Sequence, residues 1–169
     1  MKRIRMAFLK EIVFGIILVW GIAALINHMR KPELDTSSLP ELSVKLIDGT
    51  NYQLSKGKPV VIHFWATWCP VCKIETANIA RLSKYYDVLT IAVNSGDTPK
   101  LRRYMQGKGL TFRVLNDTDG IWAKRFKIEA FPTTFIYDSN GRLKFTEVGY
   151  TTTAGLMARV ALASYQHTN

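Results

Sequence analysis

The chain has little of what metal proteins and disulfide scaffolds are built from. Its 169 residues include only two cysteines and three histidines. Two thiols cannot build a disulfide-dense miniprotein or a four-thiolate zinc site. His28, His63 and His167 are too scattered to complete a mixed cysteine–histidine site, so no metal is expected. No block of five like charges, no internal repeat and no low-complexity tract occurs. The net charge of +10 therefore has no single home. Residues 1–40 carry six basic and three acidic side chains, and the rest carries 17 and 10, spread along its length. That pattern is a solvated basic surface, and no nucleic-acid partner is expected. At 47% hydrophobic and 11% aromatic, the chain is not a disordered one. Its length fits one ordinary domain with a short appendage.

The appendage comes first. After MKRIRMAFLK the chain runs from Ile12 to Asn27 without a charge. A helix from Ile12 to Ile26 would rise about 22 Å, short of a bilayer core of about 30 Å. Counting from Phe8 to Met29 restores the length, with Lys10 snorkelling to the headgroups. A cleaved signal peptide is the rival reading. Its one small-x-small triplet, Gly21-Ile22-Ala23, is followed by more apolar residues and no polar region. We read residues 1–30 as an uncleaved signal-anchor, one transmembrane helix in a bacterial inner membrane. Lys2, Arg3, Arg5 and Lys10 before the span outweigh Arg30 and Lys31 after it, which puts the rest of the chain in the periplasm. Residues 31–41, KPELDTSSLPE, read as a linker, and residues 42–169 as the soluble domain.

Within that domain Leu42, Val44 and Leu46 alternate with polar residues, Asp48-Gly49-Thr50-Asn51 turns, and Tyr52 and Leu54 resume the alternation. Val60 to Trp65 is apolar on both faces except at His63, as in a central strand covered on both sides. A helix is expected from Cys69 to about Tyr86 and a buried strand from Leu89 to Val93. Thr98-Pro99 opens a second helix, with Thr98 as its N-cap. Phe112–Leu115 follows as a short strand, then a short helix over Asp119–Phe126, with Trp122 and Phe126 as core. Thr133–Tyr137 and Leu143–Val148 flank a hairpin turn, and Thr152–Tyr165 is a last amphipathic helix. The order β-β-β-α-β-α-β-α-β-β-α implies an α/β domain with a mixed central sheet flanked by helices.

Both cysteines lie in Trp68-Cys69-Pro70-Val71-Cys72-Lys73, where a buried strand hands over to a helix. The spacing lets the sulfurs meet across one turn as a reversible disulfide. Cys69 sits at the helix N-terminus, where free N–H groups and the dipole favour its thiolate, the attacking species in exchange. Cys72, one turn in, would resolve the mixed disulfide. Haem attachment needs a histidine where Lys73 stands. A purely structural CxxC staple closes too small a loop to add much stability.

Phe64-Trp65-Ala66-Thr67-Trp68-Cys69-Pro70-Val71-Cys72 resembles the active-site segment of thioredoxin-like proteins. It is most similar to the membrane-anchored TlpA/DsbE/ScsD-type branch, whose glutamate three residues beyond the motif is matched by Glu75. Phe131-Pro132-Thr133-Thr134-Phe135 resembles the segment with that family's cis-proline, and Asp48-Gly49 its early hairpin. The resemblance covers roughly residues 40 to 165. It implies a thioredoxin fold with an N-terminal β-hairpin and an inserted strand–helix element, thiol-disulfide oxidoreductase activity, and no cofactor beyond the Cys69–Cys72 pair. It also implies that Pro132 faces Cys69 and that the backbone of Phe131 meets an extended substrate peptide. His63 departs from the family's buried aspartate, Ala77 from its helix-kinking proline, and Phe131 from a smaller residue.

Other residues have two readings each. Cys72, Glu75, Ile79, Leu82 and Tyr86 share one helical face, so Glu75 is a partly buried carboxyl beside Cys72 that could handle its proton. A glutamate favoured by the helix dipole is the plain alternative. His63 is either a satisfied core histidine or a proton relay. Trp68, Pro70, Phe131 and Trp65 are candidates to line a substrate groove, with Trp65 equally readable as core.

The function expected is a periplasmic, membrane-anchored thiol-disulfide oxidoreductase acting on protein disulfides and thiols. Pro70-Val71 supplies no cation to stabilise the thiolate strongly, which leans it toward reduction. A reductant there needs a membrane electron donor of the DsbD type. The resemblance allows roles in cytochrome c maturation or copper tolerance. Two other classes are a Cu(I)-binding or chaperone module and a thiol peroxidase. The latter wants a Thr-x-x-Cys setting, whereas Thr67 lies two residues before Cys69.

Overall fold

The computed structural model describes residues 10–19, 21–22, 42–54 and 57–165. The chain divides into two compact units, Met1–Lys31 and Pro32–Asn169. In the first, residues 10–19 and 21–22 are helical and present Phe14, Ile16, Ile17 and Val19 to the outside. Among the described residues no helix is long and apolar enough to cross a membrane. Most of the expected anchor's flanks and the linker at 31–41 lie outside the described residues.

The second unit carries a five-stranded sheet and a separate hairpin. The hairpin pairs β1 (Ser43–Lys45) with β2 (Asn51–Gln53), antiparallel. The sheet comprises β3 (Val60–Trp65), β4 (Asp87–Val93), β5 (Arg113–Asp117), β6 (Thr133–Tyr137) and β7 (Leu143–Val148), in the order β5-β4-β3-β6-β7. β3, β4 and β5 run parallel, while β6 and β7 are antiparallel to their neighbours. The helices are α1 (Pro70–Leu82), α2 (Thr98–Gly107), α3 (Ile121–Arg125) and α4 (Thr153–Tyr165). This is the expected element order and a mixed α/β sheet.

β3 and β4 are buried along their whole length, because both faces of the sheet are covered. Side chains alternate between two cores. Val61 and Trp65 join Ile79 and Leu82 of α1 and Leu156 and Val160 of α4. Ile62 and Phe64 face the other way, with Leu42, Tyr52, Phe126 and Phe135. His63 shares the face of Val61 and Trp65, so it points toward the α1 side.

Element ends differ from the sequence reading for local reasons. α1 stops at Leu82, four residues before Tyr86. Ser83 Oγ donates to the Ala80 carbonyl, and Lys84 and Tyr85 close i→i+3 bonds to Arg81 and Leu82 that tighten the last turn. The cap of α2 is Asp97, not Thr98: the Asp97 carboxylate accepts the Lys100 N–H at 2.7 Å, which leaves Thr98 and Pro99 inside the first turn. α3 begins two residues after Asp119, at Ile121. Its Trp122 and Ala123 N–H groups are held at 3.1 and 2.9 Å by the buried carboxylate of Asp117 at the end of β5. Phe126 is core as expected, whereas Trp122 is half-buried at its edge.

Candidate active site

The site lies where β3 gives way to α1. Pro70 occupies the first helical position, where its missing N–H costs nothing. Cys69 precedes it in extended backbone, and its sulfur is the helix cap: the Cys72 N–H donates to Cys69 Sγ at 3.2 Å. A helix N-terminus aimed at one sulfur stabilises charge there, and Cys69 is the residue it favours as thiolate. Cys69 and Cys72 are joined as a disulfide, with Cα atoms 5.3 Å apart. Cys69 keeps 4% of its surface exposed and Cys72 2%, so the opening to the pair is narrow.

Pro132 follows a cis peptide bond from Phe131, and Cys69 Sγ lies 3.7 Å from the Phe131 carbonyl oxygen. That carbonyl can accept the S–H when the pair is reduced. The Pro132 carbonyl accepts the Gly149 N–H at 2.8 Å, which ties the start of β6 to the loop before α4. Trp68 is 55% exposed, and its ring meets that of Phe131 edge-on at 5.5 Å. Its indole N–H donates to the Asn94 carbonyl at 3.1 Å. Cys69, Cys72, Trp68, Pro70, Phe131 and Pro132 thus come together at one end of the sheet. Trp65 is a correction. It is 2% exposed and packs 6.0 Å from both Tyr104 and Phe112, inside the core rather than on a groove.

Behind Cys72 lies a buried polar pair. Glu75 is fully buried. Its Oε1 accepts the Thr151 N–H at 2.7 Å, while its Oε2 has no hydrogen-bond partner among the described residues. Burial pushes the Glu75 carboxyl up to about 7; the Thr151 bond works against that and the nearby charge of Glu147 adds to it. His63 Nε2 is 4.0 Å from Glu75 Oε2, and burial holds this imidazole down at about 3, so it is neutral.

Sequence reasoning missed several supports. Asn78, one turn beyond Glu75, donates to the Thr151 carbonyl at 2.9 Å and accepts from the Thr153 hydroxyl at 2.8 Å. Glu75 and Asn78 together clamp the loop that holds Pro132. The Ser95 hydroxyl receives the Thr67 N–H at 3.0 Å and steadies the turn before Cys69. Only the i+3 spacing of Asn78 from Glu75 hinted at any of this. A cleft of about 440 Å³ at the opposite end of the sheet is lined by Lys58, Lys84, Asp87 and Arg113. There Asp87 takes up Tyr52, Arg113 and Lys58, so the cleft wall is a satisfied ion cluster remote from the cysteines.

Comparison with known proteins places this geometry. The Redoxin family model matches residues 35–161. Thioredoxin-like protein YneN of Bacillus subtilis (strain 168) is 30% identical over 156 residues, covering 83% of this chain and 91% of YneN. Thiol-disulfide oxidoreductase ResA of Geobacillus thermodenitrificans is 32% identical over 115 residues, 64% of this chain and 66% of that protein. The crystal structure of StoA from Bacillus subtilis superposes with a TM-score of 0.65 at 23% identity, over 73% of this chain and 98% of StoA, which shows a shared fold.

Proposed function

The chain belongs to the Redoxin family, and from that premise we propose a thiol-disulfide oxidoreductase that acts on proteins through Cys69 and Cys72. The observation that carries it is the Cys69 sulfur capping α1, with the Cys72 N–H on it and the Phe131 carbonyl beside it. Cys69 attacks a substrate disulfide and forms a mixed disulfide. Cys72 then attacks Cys69, and the substrate leaves as a thiolate. Phe131, Pro132, Trp68 and Pro70 form the surface on which an extended substrate segment lies. Its backbone, more than its side chains, would be recognised there. Glu75 takes the proton of Cys72 as that thiol attacks, because a carboxyl poised near neutrality can accept and return it.

The finer reading is a single-pass anchor at residues 1–30 and a catalytic domain in the periplasm. Its support is the charge-free run from Ile12 to Asn27 and the basic residues before it. The direction of electron flow leans to reduction, since Pro70 and Val71 bring no cation to the thiolate. Electrons would then come from a membrane donor of the DsbD type; cytochrome c maturation and copper tolerance are pathways that such a reductant could serve. No organic cofactor or metal is required for this chemistry.

The test is the reduction potential of the Cys69–Cys72 pair against glutathione. A value near that of thioredoxin, about −270 mV, supports the reductase; one near −120 mV makes the protein an oxidant. An accessibility assay on intact and permeabilised cells tests the anchor and the periplasmic domain.

A further inference from the structure

The Glu75 carboxyl raises a problem that the exchange reaction does not solve. Its Oε2 is buried with no hydrogen-bond partner among the described residues. When ionised that oxygen needs a donor, and when protonated it needs an acceptor. His63 faces it from β3, with Nε2 4.0 Å away. The other ring nitrogen, Nδ1, lies 2.9 Å from Thr134 Oγ1 on β6, the residue directly opposite His63 in the pairing of the two strands.

A neutral imidazole carries one N–H, on either nitrogen. A partner at Nδ1 that only accepted would fix the hydrogen there, and one that only donated would fix it on Nε2. A threonine hydroxyl does both, so the Nδ1 bond survives either tautomer. We propose that His63 and Thr134 form a tautomeric adaptor that gives Glu75 Oε2 a partner in both of its protonation states. This rests on the reading of Glu75 as the proton acceptor for Cys72.

With Glu75 ionised, Nε2–H donates to Oε2 and Nδ1 accepts from the Thr134 hydroxyl. Exchange then breaks the Cys72 S–H bond, and its proton forms the Glu75 O–H. The sulfur's electron pair makes the Cys72–Cys69 bond, the Cys69–substrate bond breaks, and its pair departs on the substrate sulfur. Glu75 now donates to a bare Nε2, and Nδ1–H donates to Thr134 Oγ1. The tautomer change releases the Nε2 hydrogen to solvent and takes one hydrogen from solvent at Nδ1, so no net proton is gained or lost and the ring is neutral in both end states. Each contact needs Oε2 and Nε2 to close by about 1 Å to ordinary hydrogen-bond length. His63 is thus a positioning residue. The charged groups that face the pair are Glu147 on β7, opposite Thr134, and its partner Arg159 on α4 at 2.7 Å. The cysteines on α1 are neutral while oxidised.

The experiment follows the imidazole by 15N NMR in the oxidised full-length chain between pH 5 and 9. His63 is identified by the signals lost in His63→Gln, and Glu75 by the 13Cδ signal lost in Glu75→Gln. The ring hydrogen is expected to move from Nδ1 to Nε2 as pH rises, with the same midpoint as Glu75. Thr134→Ser should keep that swap. Thr134→Val should hold the hydrogen on Nε2, because a buried N–H at Nδ1 would have no acceptor, and lower the Glu75 midpoint by about one pH unit. A ring that keeps one tautomer while Glu75 titrates overturns the adaptor and leaves the Glu75 reading standing. A swap that persists unchanged in Thr134→Val also overturns it. If Thr134→Val does not fold, the wild-type and Thr134→Ser spectra decide. The Glu75 reading fails separately, when Glu75→Gln leaves the pH dependence of exchange as it was.

Discussion

Replacing Glu75 by Gln should make the protein more stable, and the gain should depend on pH. The carboxyl has an ordinary value of 4.5 and is raised by burial to about 7 in the fold. Between these values the unfolded chain has lost the proton and the folded protein has kept it. The folded state then binds more protons, so stability falls as pH rises through this window. The loss is complete above about pH 8 and amounts to about 3 kcal/mol. Below pH 4 the group is neutral in both states and contributes nothing of this kind. Glutamine is neutral throughout and keeps an oxygen for the Thr151 N–H that Oε1 holds at 2.7 Å. Urea denaturation of the oxidised proteins at several pH values measures the difference. Wild type and Glu75→Gln should agree near pH 4, within the cost of placing the new amide. By pH 8 the variant should unfold at a urea concentration higher by about 1.5 M, for a typical slope of about 2 kcal/mol per molar. A difference that is flat with pH would refute the argument, because it would mean that Glu75 titrates alike in both states.

Four other outcomes follow from the same structure. His63 is held neutral by burial, with its value lowered from 6.5 to about 3, so the unfolded chain binds the extra proton and stability is lost as pH falls through that window; acid denaturation of His63→Gln should be correspondingly shallower. Trp65→Ala should destabilise by about 3–5 kcal/mol in thermal or urea unfolding. Trp68→Ala, on an exposed ring set edge-on to Phe131, should leave stability nearly unchanged and lower kcat/KM for protein disulfide reduction roughly two- to ten-fold. Asp97→Ala should cost about 1 kcal/mol of stability, and Thr98→Ala much less, since Asp97 is the cap of α2.

Much of the fold is legible in the chain because its strands differ in kind. Val60–Trp65 reads as an apolar run broken only by His63 and Leu89–Val93 as a buried strand, and the strands that contain them are central and buried on two faces. The cysteine pair is legible because the CxxC spacing stands at a strand-to-helix junction. What is not legible depends on contacts far apart in the chain. Alternation puts Val61, His63 and Trp65 on one face, but a strand apolar on both sides does not say which face meets α1. The sequence therefore leaves Trp65 open between core and groove, and the packing of Tyr104 and Phe112 around it makes it core. Glu75 and Thr151 are 76 residues apart, and Asn78 and Thr153 are 75 apart. A polar side chain on a helix carries no mark of the loop that it will hold. Helix ends were displaced where a side chain competes for backbone groups, as Ser83 does after α1 and Asp97 before α2.

The most direct trial of the central claim is a trapping experiment on the two cysteines. The reduced Cys72→Ser and Cys69→Ser proteins are each mixed with a disulfide-bonded protein substrate, and the adducts are identified by mass spectrometry. Cys72→Ser should accumulate a mixed disulfide through Cys69, and Cys69→Ser should accumulate almost none. Equal capture by both variants, or capture through Cys72 alone, would contradict the assignment of the α1-capping sulfur as the attacking group.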